Sequence, residues 1–313
     1  MLLKIFPDKT FYPAVGNHEA APCNLYPTPN IKTDNISWLY SVLADDWVKL
    51  GLPEDTRSSI LSGGFYTTVI RPGLRLISLN MNYCTSDNYW ILIDSIDPLG
   101  QLKWLIQTLQ SAEDNNEKVH IIGHQPPSQC TAAYSWNFNK IVNRYENTIA
   151  GQFYGHVHSE GLIMFYDEID SKRPVSMAYI GPSVTTYSHY NPGYRTYTID
   201  GQYNGSSYWT LDYHTTIMNI TASNLMDEPR FAREYDARQT YEMKNLFPSG
   251  WDDLIQRLAS NMDGPLMGLV YQFHTKSYAN GTQCDHKCRR GLLCEFLSAR
   301  PEDPHACDSL PAF

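Results

Sequence analysis

The sequence predicts an α/β protein built as a sandwich of two β-sheets flanked by helices. Three observations carry that expectation. Through the first half, short apolar strand-like runs alternate with amphipathic helical stretches, the order that a sheet with crossover helices needs. Three of the runs end alike, in a glycine followed by Asn or His: Gly16-Asn17-His18-Glu19, Gly123-His124 and Gly155-His156-Val157-His158. From about Pro174 the texture turns to hairpin-spaced strands, and after about Leu225 to amphipathic helices and a cysteine-rich tail.

Taken in order, residues 4–15 read as the end of a helix and then a strand, Phe11-Tyr12-Pro13-Ala14-Val15, running into Gly16. Residues 37–50 space Trp38, Leu39, Val42, Leu43 and Trp47 as a helix does, with Ser37 at the N-cap. Leu74–Leu79 is a strand that ends near Asn80-Met81-Asn82-Tyr83-Cys84. Asp97-Pro98 opens a helix with Leu102, Leu105, Ile106 and Leu109 as its buried stripe. Residues 119–122 form the next strand, 139–149 a helix, and 152–154 the strand beneath the final histidine pair. Residues 175–180, 194–199, 208–213 and 216–220 read as strands, with Asp200-Gly201 and Asn204-Gly205 as turns. Residues 229–241, 249–262 and 265–274 read as amphipathic helices. The expected division is an α/β domain over residues 1–224 and a helical, cysteine-rich domain over 225–313.

A chain of 313 residues can bury a sizeable core. Its formal charge of −9 and lack of a basic run exclude a charged nucleic-acid groove. Ten histidines would charge near pH 5 and offset much of that negative total, so an acidic compartment is tolerable. Seven cysteines, four of them in the last 30 residues, accompany acceptor sequons at Asn35, Asn204, Asn219 and Asn280. Together they favour a secreted or lysosomal glycoprotein with disulfides. Residues 1–7 are too short an apolar run for a signal peptide, and no stretch is long enough to span a membrane. An oxidised chain without an address label is expected to lack its beginning.

Apolar runs ending in glycine suggest strands that turn out of the sheet and aim a side chain at its edge, where α/β enzymes bind ligands. Zinc takes nitrogen and oxygen donors at about 2.0–2.2 Å. Asn17, His124 and His156 supply three donors for one ion, and His158 a fourth for a neighbouring ion. Two ions about 3.5–4 Å apart clamp a phosphate. His18, beside Asn17, is then free to neutralise phosphoryl oxygens or protonate a leaving oxygen. His120 precedes its buried run and reads as structural. These donors are all neutral, whereas two adjacent dications need a bridging carboxylate. No Gly-Asp pair occurs, no Asp or Glu sits in a bridging motif, and Glu19 reads as a support rather than a bridge. Half of a two-ion site is expected to be absent.

These units resemble the later part of the calcineurin-like metallophosphoesterase signature. Residues 11–19 (FYPAVGNHE), 73–82 (GLRLISLNMN), 120–127 (HIIGHQPP), 182–187 (PSVTTY), 191–197 (NPGYRTY) and 297–300 (LSAR) extend the likeness. Across nearly its whole length the chain is similar to the later part of the acid sphingomyelinase family. The resemblance implies an N-terminally incomplete metallophosphoesterase sandwich and zinc-dependent hydrolysis of sphingomyelin to ceramide and phosphocholine. It implies a monomer that meets the membrane surface transiently, in lysosomes or outside the cell. By motif, Asn17, His124 and His156 match ligands of one zinc, His158 a ligand of the second, and His18 the group that serves the departing ceramide oxygen. Asp87 and Tyr187 match pocket positions, Asp87 being shorter than the family's Glu. The family's bridging aspartate and Asp-x-His ligands have no counterpart ahead of these units.

The resemblance also implies the disulfides Cys84–Cys130, Cys284–Cys288 and Cys294–Cys307, leaving Cys23 free or paired outside the chain. Cys284-x3-Cys288 alone could instead be a zinc knob. Two other functional readings stand beside the first: a related phosphodiesterase acting on nucleotides or other phosphate esters, and an inactive fragment. Most aromatics read as core, with Trp251 and residues 266–271 as candidates for touching lipid, core being the alternative.

Overall fold

The computed structural model describes residues 2–201, 203–278 and 283–311. Its centre is a six-stranded sheet of β1 (Tyr66–Arg71), β2 (Leu74–Leu79), β3 (Lys118–Gly123), β4 (Ile149–Tyr154), β5 (Gly161–Tyr166) and β6 (Pro174–Ile180), ordered β1-β2-β3-β4-β6-β5. β2, β3, β4 and β6 run parallel, and β1 and β5 pair antiparallel at the two edges. The carboxyl ends of four strands therefore share one edge. Parallel strands covered on both faces must be apolar nearly throughout, and Leu76, Ile77, Leu79, Val119 and Ile121 are all buried.

Two helices cross between these strands on one face: α4 (Gln101–Asp114) and α5 (Ala132–Arg144). Leu102, Leu105 and Leu109 of α4 and Phe138 and Val142 of α5 pack with Ile77 and Ile121. Asp97 does cap α4, but from outside: its carboxylate accepts the Leu102 and Lys103 amides at 2.9 and 3.1 Å, and the helix begins at Gln101 rather than at the proline. Ahead of the sheet lie α1 (Leu2–Ile5), α2 (Ser37–Lys49) and α3 (Arg57–Gly63), with Leu39, Leu43 and Trp47 of α2 buried against Tyr66 and Leu76.

The second sheet is antiparallel: β7 (Gly193–Ile199), β8 (Thr210–Met218) and β9 (Phe231–Asp236). Around it stand α6 (Ile220–Met226), α7 (Ala237–Thr240), α8 (Pro248–Ser260), α9 (Pro265–His274) and α10 (His286–Leu297). Met164, Met177 and Tyr179 of the main sheet share one core with Tyr213, Trp251, Leu254, Phe273 and Leu293. β9 pairs with β8 across residue 225, so the helices beyond it close the core of the residues before it. Among the described residues no helix is long and apolar enough to cross a membrane.

Several expectations change. Residues 229–241 form β9 and a short helix, because pairing with β8 and burial of Tyr235 override their helical spacing. Residues 208–213 and 216–220 contribute to one strand, β8, and α5 starts at Ala132 rather than 139. Residues 11–15 are not a strand. Pro13 has no N–H to give a ladder, and its carbonyl is held instead by the Tyr66 and Ser78 hydroxyls at 2.9 and 3.0 Å. Trp251 is 1 % exposed and packs against both the Tyr179 and Tyr213 rings, and Met267 is fully buried. Of the two readings of this stretch, core or lipid contact, it is largely core. Cysteine pairing is as the resemblance implies, Cys84–Cys130, Cys284–Cys288 and Cys294–Cys307, with Cys23 free and exposed.

Candidate metal-binding active site

β3 and β4 end side by side, and the chain beyond each carries a histidine to the shared edge. His124 Nε2 stands 2.8 Å from Asn17 Oδ1 and 3.0 Å from His156 Nδ1. Each of these atoms can bring a lone pair into the same small space, and His124 Nε2 has at most one proton for two neighbours. Hydrogen bonding alone leaves that trio frustrated, while a cation among them satisfies all three. Donors about 2.1 Å from a tetrahedral ion lie roughly 3.4 Å apart, so both pairs need to open by only about half an ångström. The donor set fits one divalent ion.

Asn17 is aimed by its neighbour across the loop: its Nδ2 donates to Asn24 Oδ1 at 2.8 Å, which leaves Oδ1 turned to His124. Asn24 itself has a φ of 69°, a left-handed conformation that Asn tolerates better than most residues. The Gly16 carbonyl accepts from the Tyr26 hydroxyl at 2.5 Å and the Asn82 amide at 3.2 Å. Asn24 and Tyr26 carry no motif signal, and Asn82, inside the 73–82 likeness, reads there only as a strand end.

The glycines act differently from what the sequence suggests. Gly16, Gly123 and Gly155 stay outside the left-handed region, and the bend after β4 is made by His156 (φ 71°) and His158 (φ 64°) themselves. Gly16 leaves room for a close approach: a Cβ there would meet Glu19 Oε2 at 2.7 Å and push back the carboxylate that accepts the Gly16 N–H at 2.5 Å. Glu19 is thus a support of the loop.

The imidazoles are held in the neutral form that binds metals. Burial, reinforced by His156, pushes His124 down to about 4. Burial also lowers His156, with His158 adding to the effect and Asp87 opposing it. His158 is lowered by burial and by the Lys276 charge. Its ring lies edge-on to Tyr187 with centroids 5.5 Å apart, away from the contacts that join the trio. A cleft of about 520 Å³ is lined by His124, His156, His158, Ser183, Tyr194 and Arg195. Tyr187 and Asp87 are exposed beside it, as is His18, with Nδ1 3.5 Å from the Cys23 thiol.

No group of three or more His, Cys, Asp and Glu side chains among the described residues is placed to hold an ion. The trio falls outside that set because its third member is the amide of Asn17, and His158 stands apart from it. The chain does contain Asp-x-His triplets, Asp212-Tyr213-His214 and Asp303-Pro304-His305. Neither serves this edge: Asp212 lies on β8 and accepts the Tyr213 and Arg238 amides, while Asp303 pairs with Arg300 and His305 with Asp308. His120 is buried against the Tyr208 carbonyl at 2.7 Å, as a structural residue. Asn35, Asn204 and Asn219 are exposed, and Asn219 also caps α6 through the Ala222 amide; Asn280 lies outside the described residues.

Comparison with known proteins shows the family. Residues 1–160 match the calcineurin-like phosphoesterase family model, and residues 173–301 match the acid sphingomyelin phosphodiesterase C-terminal region. The chain is 48 % identical over 301 residues to a sphingomyelin phosphodiesterase of Bos taurus, covering 96 % of this chain and 48 % of that protein. To the sphingomyelin phosphodiesterase of Homo sapiens it is 46 % identical over 301 residues, covering 96 % and 47 %. A Mus musculus protein named cyclic GMP-AMP phosphodiesterase SMPDL3A is 32 % identical over 311 residues, covering 94 % and 66 %. The chain spans about half the length of the sphingomyelin phosphodiesterases it matches. It belongs to the calcineurin-like phosphoesterase family, which implies divalent metal ions.

Proposed function

We propose that this chain serves the zinc-dependent hydrolysis of sphingomyelin to ceramide and phosphocholine. It supplies the donor set of one zinc, Asn17, His124 and His156, and a single donor, His158, toward a second. The observation that carries this reading is the contact of His124 with both Asn17 and His156 at the carboxyl edge of the sheet. Identity of 46–48 % to proteins named sphingomyelin phosphodiesterase supports the substrate class. Zinc bound there supplies a Lewis-acid charge that polarises a phosphoryl oxygen and offsets charge in the transition state.

The protein's own groups do the rest. His18 is exposed beside Asn17 with its Nδ1 against the Cys23 thiol, and its other ring nitrogen can give a proton to the ceramide oxygen as the P–O bond to ceramide breaks. A water oxygen takes that place on phosphorus, and the proton it sheds restores the histidine. Tyr187 and Asp87 flank the opening, and Asp87 offers a carboxylate to a quaternary ammonium. Two residues beyond Asp87, Tyr89, Leu92, Ile93 and Ile96 are all more than half exposed, and residues 85–102 contain no Lys or Arg. An apolar rim without cations suits a zwitterionic choline-lipid surface. Three disulfides and the exposed Asn35, Asn204 and Asn219 sequons support a secreted or lysosomal location for a glycoprotein that works as a monomer.

The 32 % identity to a cyclic dinucleotide phosphodiesterase favours a second reading, action on nucleotide phosphodiesters. Purified chain loaded with zinc, assayed on sphingomyelin in mixed micelles and on a cyclic dinucleotide, separates the two. Sphingomyelin turnover that His124→Ala abolishes is the expected result. Cleavage of the dinucleotide alone would establish the second reading. Zinc uptake with neither ester cleaved would leave a metal-binding chain without catalysis.

A further inference from the structure

Just past α9, after Thr275, come two left-handed positions in a row, Lys276 and Ser277, both with φ of 52°. A non-glycine residue there costs about 1 kcal/mol or more. Lys276 is also fully buried, and burying an ammonium is expensive unless partners meet it. Both costs fall on one residue, which indicates that its position is fixed by what it holds.

What Lys276 holds is the loop that presents Tyr187. Its Nζ donates to the Ser183 carbonyl at 2.9 Å, at the start of that loop. Its own carbonyl accepts the Asn191 side-chain amide at 2.9 Å, at the end of the loop. The ammonium lies 5.6 Å from the centre of the Tyr190 ring, a cation–π contact from the same side. Between these anchors the chain makes tight turns, with Ser188 and His189 left-handed and the Thr185 and Tyr187 amides bonded to the Ser183 and Thr185 hydroxyls. The loop's apex carries Tyr187, 74 % exposed, with its ring edge-on to His158. One side chain and one carbonyl of a single residue therefore tie both feet of the loop.

We propose that Lys276 is a positioning residue for the substrate rim: it fixes residues 183–191, and so the distance between Tyr187 and the His158 side of the cleft, without touching substrate itself. This rests on the reading that Tyr187 borders the bound phosphodiester. The chemistry it serves is recognition of the ester's choline-bearing head group, so its loss should appear in binding more than in turnover. Burial pulls the Lys276 ammonium down to about 8, while Glu160 and Glu234 oppose that shift, so the charge that anchors Ser183 persists at acidic and neutral pH.

Lys276→Met keeps the length of the stem and removes the charge and the donor. Hydrogen–deuterium exchange of the full chain is the first measurement, because it needs no activity. Amide protection in residues 183–193 should fall by about ten-fold or more while α8 and β8 keep theirs. Unchanged protection at 183–193 would overturn the proposal, as would an equal loss through α8, which would make Lys276 a support of the whole fold. The second measurement is kinetic, on zinc-loaded chain. Lys276→Met and Tyr187→Ala should each raise KM about ten-fold with kcat within about three-fold, and the double variant should go no further. Multiplying effects, or a fall in kcat at constant KM, would contradict it. Should the unmodified chain fail to cleave sphingomyelin, the proposed function falls, and the exchange experiment still decides the role of Lys276.

Discussion

Two loops bring donors to one point by opposite means. The loop around Asn17 is irregular chain gripped by side chains from elsewhere. Tyr66 and Ser78 hold Pro13, Tyr26 and Asn82 hold Gly16, and Asn24 holds Asn17. The turn around His156 and His158 is an extension of β4 whose own backbone is bent into the left-handed region twice. It is pinned at its ends: Gly155 N–H donates to the His124 carbonyl at 2.9 Å, and Glu160 is locked to His274 by Glu160 N–H to O at 3.0 Å and Nδ1 to O at 2.6 Å. The lesson is that the same function can rest on polar partners at one loop and on tolerated strain at the other. Substitutions should therefore act through lost orientation at the first and through backbone energy at the second.

The largest effect belongs to the residue both loops share. His124→Ala should weaken zinc binding beyond the roughly 100-fold typical of a supporting residue, read by competition with a chromophoric chelator. Next comes the Asn17 side alone. Asn24→Gly removes the acceptor that aims Asn17 while keeping a left-handed φ easy, so zinc affinity should fall about 10- to 100-fold with little change in Tm. An unchanged affinity would show that Asn17 needs no such orientation.

Acid should act on the histidine side. Burial holds His120, His124, His156, His158 and His274 below the ordinary value of 6.5, with His124 near 4. As pH falls below 6.5 the unfolded chain takes up protons first, so stability present above 6.5 is lost progressively toward pH 4. Thermal melts of metal-free protein should drop on the order of 5 °C across that window, and zinc should reduce the drop. A flat profile would mean that these histidines are not neutralised by burial. The smallest effect is a gain: His158→Gly relieves one left-handed residue and should raise Tm of the metal-free chain by about 2–4 °C. A loss of Tm there would mean that the His158 side chain holds the turn more than its backbone strains it.

What could be read from the sequence, and what could not, follows the same division. His124, His156 and His158 stand directly after apolar strand runs, so the 2-residue and 3.6-residue periods of the neighbouring elements were enough to place them at one edge. Asn17 was legible only through the Gly-Asn-His-Glu motif, because the run before it is not a strand and its partners lie as far away as Tyr66, Ser78 and Asn82. The glycines were legible as necessary but not for the right reason: Gly16 allows a carboxylate to approach, and the histidines make the bend. β9 was hidden because a segment paired with β8 and buried through Tyr235 can carry helical spacing. Lys276 gave no signal at all, since a lysine past an amphipathic helix reads as solvated until its contacts with Ser183 and Asn191 are seen.

The account stands on Asn17, His124 and His156 sharing one ion, and X-ray absorption at the zinc edge of the full chain tests that most directly. It should show a nitrogen and oxygen shell near about 2.0–2.1 Å with two imidazoles and no sulfur, lost in His124→Ala. A sulfur shell near about 2.3 Å, or a nitrogen and oxygen shell that survives His124→Ala, would contradict it.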